Sequence, residues 1–366
     1  MTARVKALVE FHETINFGSR ENLRLQQEKA RSGYAALTGS EVTELASESI
    51  AQIEKGSNRF ETALCCLACF RPGSLAAFHQ KLVERRVLYP GVIFHGAGPE
   101  TAEQIIDVCE QEDCHNHALI ALAWIGDEIV QAAFARWRKK PPAWKRKLFV
   151  PPHQYAEEAG WELTDKGERH DLFHRVAYPL VRPNGASGVN KSARIGVPVE
   201  ETCRWCKREL VGLLDFTAIE DVLPNQGIGP VRVVTCQACG CVSTLFMKYG
   251  SGGEAKWHSK NKKPSYLQTD AEWDAFPESP LVMTKQTRHF MEAANWSMLP
   301  GIAFSQVGGL PTWIQDAEYP ACPDCSQKMP FVGQISNEDF MEYGEGIYYA
   351  FRCPQCNVTA TCYQQT

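Results

Sequence analysis

Eight of the fifteen cysteines stand in four Cys-x-x-Cys pairs: Cys203-Arg-Trp-Cys206, Cys236-Gln-Ala-Cys239, Cys322-Pro-Asp-Cys325 and Cys353-Pro-Gln-Cys356. Thiolates are soft ligands, and two such pairs delivered by separate hairpins can bring four sulfurs to one point, where a tetrahedral ion accepts them at ~2.3 Å. The spacing between partner pairs is nearly equal, 30 positions from Cys206 to Cys236 and 28 from Cys325 to Cys353. The expectation is therefore two sites, Cys203, Cys206, Cys236 and Cys239 in one and Cys322, Cys325, Cys353 and Cys356 in the other, each holding Zn2+. Four thiolates close the coordination shell and leave no position for water or substrate, so both zinc ions are read as structural rather than catalytic. Free buried thiols, iron–sulfur ligation and redox pairs are the alternatives. Cys241 and Cys362, just beyond the second pair of each set, read as buried apolar thiols and not as spare ligands.

Hairpins must carry these pairs, and the flanking sequence supplies them twice. Cys203–Cys206 leads into an apolar run, Leu210 to Phe216, then a turn with Gly227 and Gly229, then a strand into Cys236–Cys239. Cys322–Cys325 repeats the plan with Met329 to Ile335, Gly344 and Gly346, and a strand into Cys353–Cys356. Gly240 and Asn357, one after each second pair, tolerate the left-handed backbone such turns often need. Strand alternation is read in Val231 to Thr235, Val242 to Phe246 and Ile347 to Arg352. Residues 251–263 and 264–280 read as long surface connections.

The first part of the chain has a helical period. Leu75, Phe78, Leu82 and Val83 share one stripe of a helix expected over Ser74 to Tyr89 with Ser74 as N-cap. Further helices are expected from Thr101 through Val108, from His117 to Trp124 and from Glu128 to Arg138, joined by short polar turns. The stretch Ala118-Leu-Ile-Ala-Leu-Ala-Trp-Ile-Gly-Asp127 with the helix after it resembles a HEAT-like repeat. The fold class expected is α+β: a HEAT-like helical solenoid over 1–155, followed over 156–366 by a mostly β, internally duplicated domain with two zinc-ribbon-like four-cysteine sites.

Ser305-Gln-Val-Gly-Gly-Leu-Pro-Thr-Trp-Ile-Gln315, Tyr319-Pro320, the pair Cys322–Cys325, Pro330-Phe-Val-Gly-Gln-Ile335 and Gly344-Glu-Gly-Ile347 together resemble the YwqG-like family. The match covers about 60 positions well, and the duplicated half loosely. The resemblance implies a β-rich, duplicated fold and, since many members are encoded beside polymorphic toxins, an immunity role. The chain departs from the pattern at Ala193-Arg-Ile-Gly196, where the first half keeps Gly196 and Pro198 but lacks the Gly-Gly-Leu-Pro run.

Composition narrows the classes. Hydrophobic residues are 44% and charged residues 22% of the chain, which fits a globular protein and not a disordered one. The longest apolar run, Ala118 to Gly126, stops at Asp127, far short of the ~20 residues a span needs. The N-terminus, with Glu10 and Glu13 in its first helix-like stretch, does not read as a signal peptide, and a cytoplasmic location is expected, where paired cysteines bind metal rather than form disulfides. The formal charge of −5 argues against a general nucleic-acid binder.

Weaker constellations each have an ordinary reading beside the functional one. Seven cations in Arg136 to Lys147, with Trp137 and Trp144 interleaved, suggest phosphate contact and base stacking or, more simply, a solvated helix end with its tryptophans packed inward. Lys256 to Lys263 is a second basic loop of the same kind. Six acids and no cation lie between Glu100 and Asp113 (Glu100, Glu103, Asp107, Glu110, Glu112 and Asp113), either a capture face for a cationic partner or an ordinary solvent face. His170 and His174 have the i, i+4 spacing that binds metal on a helix, against a hydrogen-bonded pair. Cys109, Cys114, His115 and His117 are candidates for a third metal site, and Cys65, Cys66 and Cys69 for core packing.

No phosphate loop, Rossmann fingerprint, zincin or nucleophile-elbow motif is present, so the protein is not expected to be an enzyme. The leading expectation is a cytoplasmic immunity protein that binds and neutralises a cognate toxin, with Trp257, Trp273 and Trp313 as exposed anchors. The alternatives are a zinc-ribbon nucleic-acid or transcription-associated module, and an enzyme or small-ligand binder using the loop Gly308 to Pro311.

Overall fold

The structure, a computed structural model, describes residues 1–14, 20–111, 115–183, 188–217, 231–250, 253–267, 277–284, 287–294, 303–341 and 344–365. These divide into two compact units, Met1–Asp171 and Leu172–Ala294 continued by 303–365. The first unit thus runs past residue 155.

That unit holds eight helices among the described residues: α1 (Ala3–Thr14), α2 (Arg20–Ala35), α3 (Gly39–Glu54), α4 (Arg59–Phe70), α5 (His79–Glu84), α6 (Pro99–Gln111), α7 (His115–Ile125) and α8 (Glu128–Lys139). It ends in a hairpin of β1 (Trp161–Leu163) and β2 (Arg169–Asp171). The local chemistry explains the boundaries. A capping box starts α3: the Glu41 N–H donates to Thr38 Oγ1 at 3.3 Å and the Thr38 N–H to Glu41 Oε2 at 2.9 Å. Asp127 caps α8 by accepting from the Val130 N–H at 2.9 Å, and Arg136, Arg138 and Lys139 close the other end, where cations complement the helix dipole.

Helix α7 is buried around most of its circumference, as expected of a helix enclosed by its neighbours, and α6, which buries Ala102, Ile105, Val108 and Cys109, packs on it. Cys65, Cys66 and Cys69 are buried in α4, filling the core. The helix expected over Ser74 to Tyr89 is shorter. A 3-10 turn covers Ala76–Phe78 and α5 starts only at His79, while Ser74 Oγ turns back to donate to the Leu67 carbonyl. Arg86, at φ 58°, ends the segment.

Among the described residues, the second unit is built on one thirteen-stranded antiparallel sheet. Its strands are β3 (Val176–Val181), β4 (Gly188–Ile195), β5 (Val197–Thr202), β6 (Glu209–Asp215), β7 (Arg232–Thr235), β8 (Leu245–Tyr249), β9 (Ala255–Trp257), β10 (Ser279–Thr284), β11 (Arg288–His289), β12 (Gln306–Gly308), β13 (Phe331–Ser336), β14 (Ile347–Cys353) and β15 (Val358–Gln364). Among the described residues, three short helices interrupt them, α9 (Gln237–Gly240), α10 (Phe290–Ala294) and α11 (Asn337–Phe340). The order is β5-β6-β4-β10-β3-β12-β13-β14-β15-β8-β9, with β7 on β6 and β11 on β3. The path nearly closes, since the Trp257 N–H at one end donates to Glu201 Oε1 of β5 at 3.5 Å. β8 begins at Leu245, not Val242, because the chain first turns through α9.

The sheet curls around a core of Leu213, Leu214, Val233, Val307, Ile335 and Tyr348, drawn from both halves of the expected duplication. β13 is buried at every position, so both its faces are covered. Among the described residues, no helix is long and apolar enough to cross a membrane.

One buried group in the first unit sets a pH dependence. His12 on α1 is fully buried, with Nε2 2.6 Å from the Tyr34 hydroxyl of α2 and Nδ1 unpartnered. Burial pushes its pKa from 6.5 down to about 4. The unfolded chain therefore binds a proton that the folded chain refuses, so stability present above the ordinary histidine value is lost as pH falls from about 6.5 toward about 4, by up to about 3 kcal/mol. Denaturant unfolding followed across that window should show the loss. His12→Gln, which keeps a partner for Tyr34 but cannot titrate, should flatten the curve; an unchanged curve removes His12 as its origin.

Candidate metal centres

Each expected set of four cysteines is assembled at hairpin tips. Cys203 and Cys206 occupy the tight turn between β5 and β6. There the Cys203 N–H donates to the Arg208 carbonyl at 2.8 Å and the Lys207 N–H to the Cys203 carbonyl at 2.9 Å. The turn at Cys322 and Cys325 repeats this bond for bond: the Cys322 N–H donates to Gln327 at 2.8 Å and the Ser326 N–H to Cys322 at 2.8 Å. In both, the residue after the second cysteine is left-handed, Lys207 at φ 66° and Ser326 at φ 64°. The second pairs enter from strand ends. Cys236 follows β7 and Cys239 sits on α9, while Cys353 ends β14 and Cys356 lies in the turn to β15.

Asn357 is left-handed as expected, at φ 51°, but Gly240 is not. Its glycine is required by space instead, since a Cβ there would come within 2.8 Å of Thr235 Oγ1. The sequence signal for the left-handed turn positions was the register after each first pair, which lysine and serine do not advertise.

In each group the four sulfurs lie within 4.8 Å of one another. Cys203 and Cys239 are 3.7 Å apart, Cys206 and Cys236 3.5 Å, and Cys325 and Cys353 3.8 Å. These are not bonded distances, and all eight thiols are free. A tetrahedron with metal–sulfur bonds of ~2.3 Å has edges of about 3.8 Å, so the donor set fits a four-coordinate ion. The two groups could each hold a metal ion with all four positions filled by protein. Cys241 and Cys362 stand apart: the first donates to the Ala238 carbonyl at 2.9 Å and the second is buried in β15.

Crowding divides the protons unequally among the sulfurs. Hydrogen bonds from Cys236 and Cys239 hold Cys203 far below the ordinary thiol value, and the same contact pushes Cys236 up to about 12 and Cys239 up as well. In the second group the backbone at Gln327 lowers Cys325, while burial raises Cys353 to about 12. A bound cation supplies the positive charge that lets all four ionise.

The hairpin β8–β9 braces both centres, a feature the sequence reading missed. Trp257 packs edge-on against Trp205, inside the first Cys-x-x-Cys turn, with ring centroids 5.2 Å apart. The next residue, His258, places Nε2 3.1 Å from Asp324 Oδ1, inside the corresponding turn of the second centre. From β8, Lys248 Nζ donates to Asp324 Oδ2 at 2.7 Å and to the Cys356 carbonyl at 2.8 Å, and Lys260 reaches the Pro323 carbonyl.

The remaining candidates fall elsewhere. Trp257 is buried and not an exposed anchor, and Trp313 is packed among Tyr319, Tyr349 and Phe351; Trp273 lies outside the described residues. His170 is on strand β2 rather than a helix, and its Nδ1 is 3.0 Å from Glu162 Oε1 across the hairpin, a bond that raises its pKa. Cys109 is buried in α6, the His115 ring lies against Trp144, and the His117 ring lies against Tyr89; Cys114 lies outside the described residues, as do Glu112, Asp113, Gly227 and Gly229. The loop Gly308 to Pro311 is buried, and the Gly309 N–H is spent on the Val176 carbonyl. Gly309 is needed for packing: it has φ 72°, and a Cβ would come within 2.7 Å of Ala177 Cβ.

Metal analysis of the purified full chain should return about two ions per molecule. Cys206→Ala and Cys325→Ala should each remove one ion and destabilise the hairpins of their own centre by several kcal/mol. Trp257→Ala should speed chelator-driven release from the first centre more than from the second. A well-folded, metal-free chain would remove the scaffold role.

No family model matches the chain, and no solved structure matches it. It is 38% identical over 315 residues to the uncharacterized protein YpfL of Salmonella typhimurium, across 84% of this chain and 72% of that protein. Identity at that level over that share of both chains places the protein in the same family as YpfL.

Proposed function

We propose that the protein is a cytoplasmic immunity protein: a binding protein, braced by two structural zinc ions, that neutralises a cognate toxin by covering its active site or substrate surface. Zinc is the metal that best suits four thiolates with a closed shell, because it has no redox chemistry and no geometric preference of its own. The helices of the first unit are read as HEAT-like pairs, and the second unit as YwqG-like on the motifs quoted above.

The observation that carries the partner class is the outer face of α6. Glu100, Glu103, Asp107 and Glu110 are all exposed there, and the helix bears no lysine or arginine. Their spacing puts them on one stripe, opposite the buried stripe of Ala102, Ile105 and Cys109. A one-signed stripe speeds encounter with a cationic surface such as that of a nuclease toxin, and suppresses acidic partners.

Coexpression with candidate toxins from neighbouring genes tests the reading. Growth should be rescued and the two proteins should copurify. Glu103→Lys with Asp107→Lys, both on solvent, should slow association at least about tenfold at low salt. A toxin equally lethal with and without this protein would remove the proposal.

A further inference from the structure

Positive charge and bare apolar surface coincide just after α8. The helix ends in Arg136, Arg138 and Lys139, and a 3-10 turn over Ala143–Lys147 presents Lys145, Arg146 and Lys147. Arg136 is drawn to Glu110 at 2.9 Å, and Arg138 donates to the Leu163 carbonyl at 3.1 Å. Among the described residues no ion pair involves Lys139, Lys140, Lys145 or Arg146, so their charge is directed to solvent. Directly after them, Phe149 is 99% exposed and Val150 41% exposed. Burial, followed by the charges of Arg138 and Lys145, holds the nearby His153 below its ordinary value, so the positive field reaches past the loop itself.

The neighbouring tryptophans do not share that exposure. Trp137 is buried, and Trp144 is half-buried with its ring edge-on to Trp137 at 5.3 Å and to His115 at 4.7 Å. They pin the turn to the helices and offer no stacking platform. Pro141-Pro142 and Pro151-Pro152 bracket the loop, restricting its backbone.

We propose that this loop docks the protein on an anionic lipid bilayer, Phe149 and Val150 entering the headgroup–acyl boundary while Lys139, Lys140, Lys145 and Arg146 meet lipid phosphates. Lysine and arginine stems can lie along the apolar layer and keep their charge at the phosphates, the arrangement seen in interfacial anchors. A cluster of four or more cations is also the number at which attraction to an anionic leaflet becomes appreciable. Single-stranded nucleic acid fits less well. Stacking needs exposed aromatic faces in a groove, whereas Phe149 projects alone between the aliphatic Leu148 and Val150.

Sedimentation of the full chain with vesicles tests this. It should pellet with phosphatidylcholine vesicles containing about a third phosphatidylglycerol, not with phosphatidylcholine alone, and salt should release it. Lys145→Glu with Arg146→Glu should weaken binding roughly tenfold or more. Phe149→Ser should weaken it by about fivefold while leaving the salt dependence in place. Both variants alter only solvent-facing side chains, and Lys145→Gln with Arg146→Gln gives a milder form of the first should it fail to fold. The proposal is overturned if wild-type protein ignores anionic vesicles or pellets equally with neutral ones. It is likewise overturned if the variants bind as well as wild type, or if a single-stranded oligonucleotide binds the loop and displaces the vesicles.

Discussion

Four sulfurs confined within 4.8 Å of one another cannot all carry charge unless a cation sits among them, and the second unit brings such a group together twice. Without the cation, Cys203 and Cys325 are favoured as thiolates, while Cys236 and Cys239 in the first group and Cys353 and Cys356 in the second are driven to keep their protons. A cation there would turn the repulsion into attraction and join, at their tips, two hairpins separated by about thirty residues. The gain is largest where it is most needed, because bringing distant segments together costs chain entropy before any strand pair returns it. Strand register is pinned at the same time, since a slip by one residue would turn a cysteine away from its centre.

The two centres are copies in their turn geometry but not in their surroundings. Both first pairs use the same two backbone hydrogen bonds and the same left-handed residue, at Lys207 and Ser326. After the second pairs they part. The first centre closes over α9, where Gly240 is packed against Thr235, and the second closes in a plain turn to β15 through left-handed Asn357. A single hairpin, β8–β9, then meets both, through Trp257 on one side and His258 and Lys248 on the other. Adjacent residues of an extended chain point to opposite sides, so two consecutive positions can serve two centres without any bend in the backbone.

The two groups of four cysteines were legible in the sequence because their chemistry is tied to a fixed local spacing. The strands next to them were legible too, because they border the paired cysteines: β6, β7, β13 and β14 fall within a few residues of the runs read from the sequence. What escaped depends on distant partners. Trp257 looks exposed in a lysine-rich stretch, and only the fold brings Trp205 to cover it. His170 and His174 have helical spacing, yet the backbone pairs His170 across a hairpin with Glu162. The stripe of Leu75, Leu82 and Val83 is buried as its period suggests, but a 3-10 turn replaces the first part of the helix, a difference in backbone that hydrophobic periodicity does not encode. The unit boundary moved to Asp171 for a similar reason: Trp161 is fully buried, and its indole N–H donates to the Ala123 carbonyl of α7 at 2.8 Å, so β1 belongs with the helices.

The first unit carries opposite charges on neighbouring surfaces, the acidic stripe of α6 and the basic end of α8 with its loop. Among the described residues they touch at the ion pair of Arg136 with Glu110, in which both side chains are about half exposed. A surface pair of this kind contributes little and is weakened by salt, so it does not neutralise either face. At physiological ionic strength charges separated by more than ~8 Å are largely screened from each other. Each face therefore acts on what lies directly in front of it, and the net charge of −5 describes neither. A partner of one sign and a surface of the other could be held on the same unit without competing.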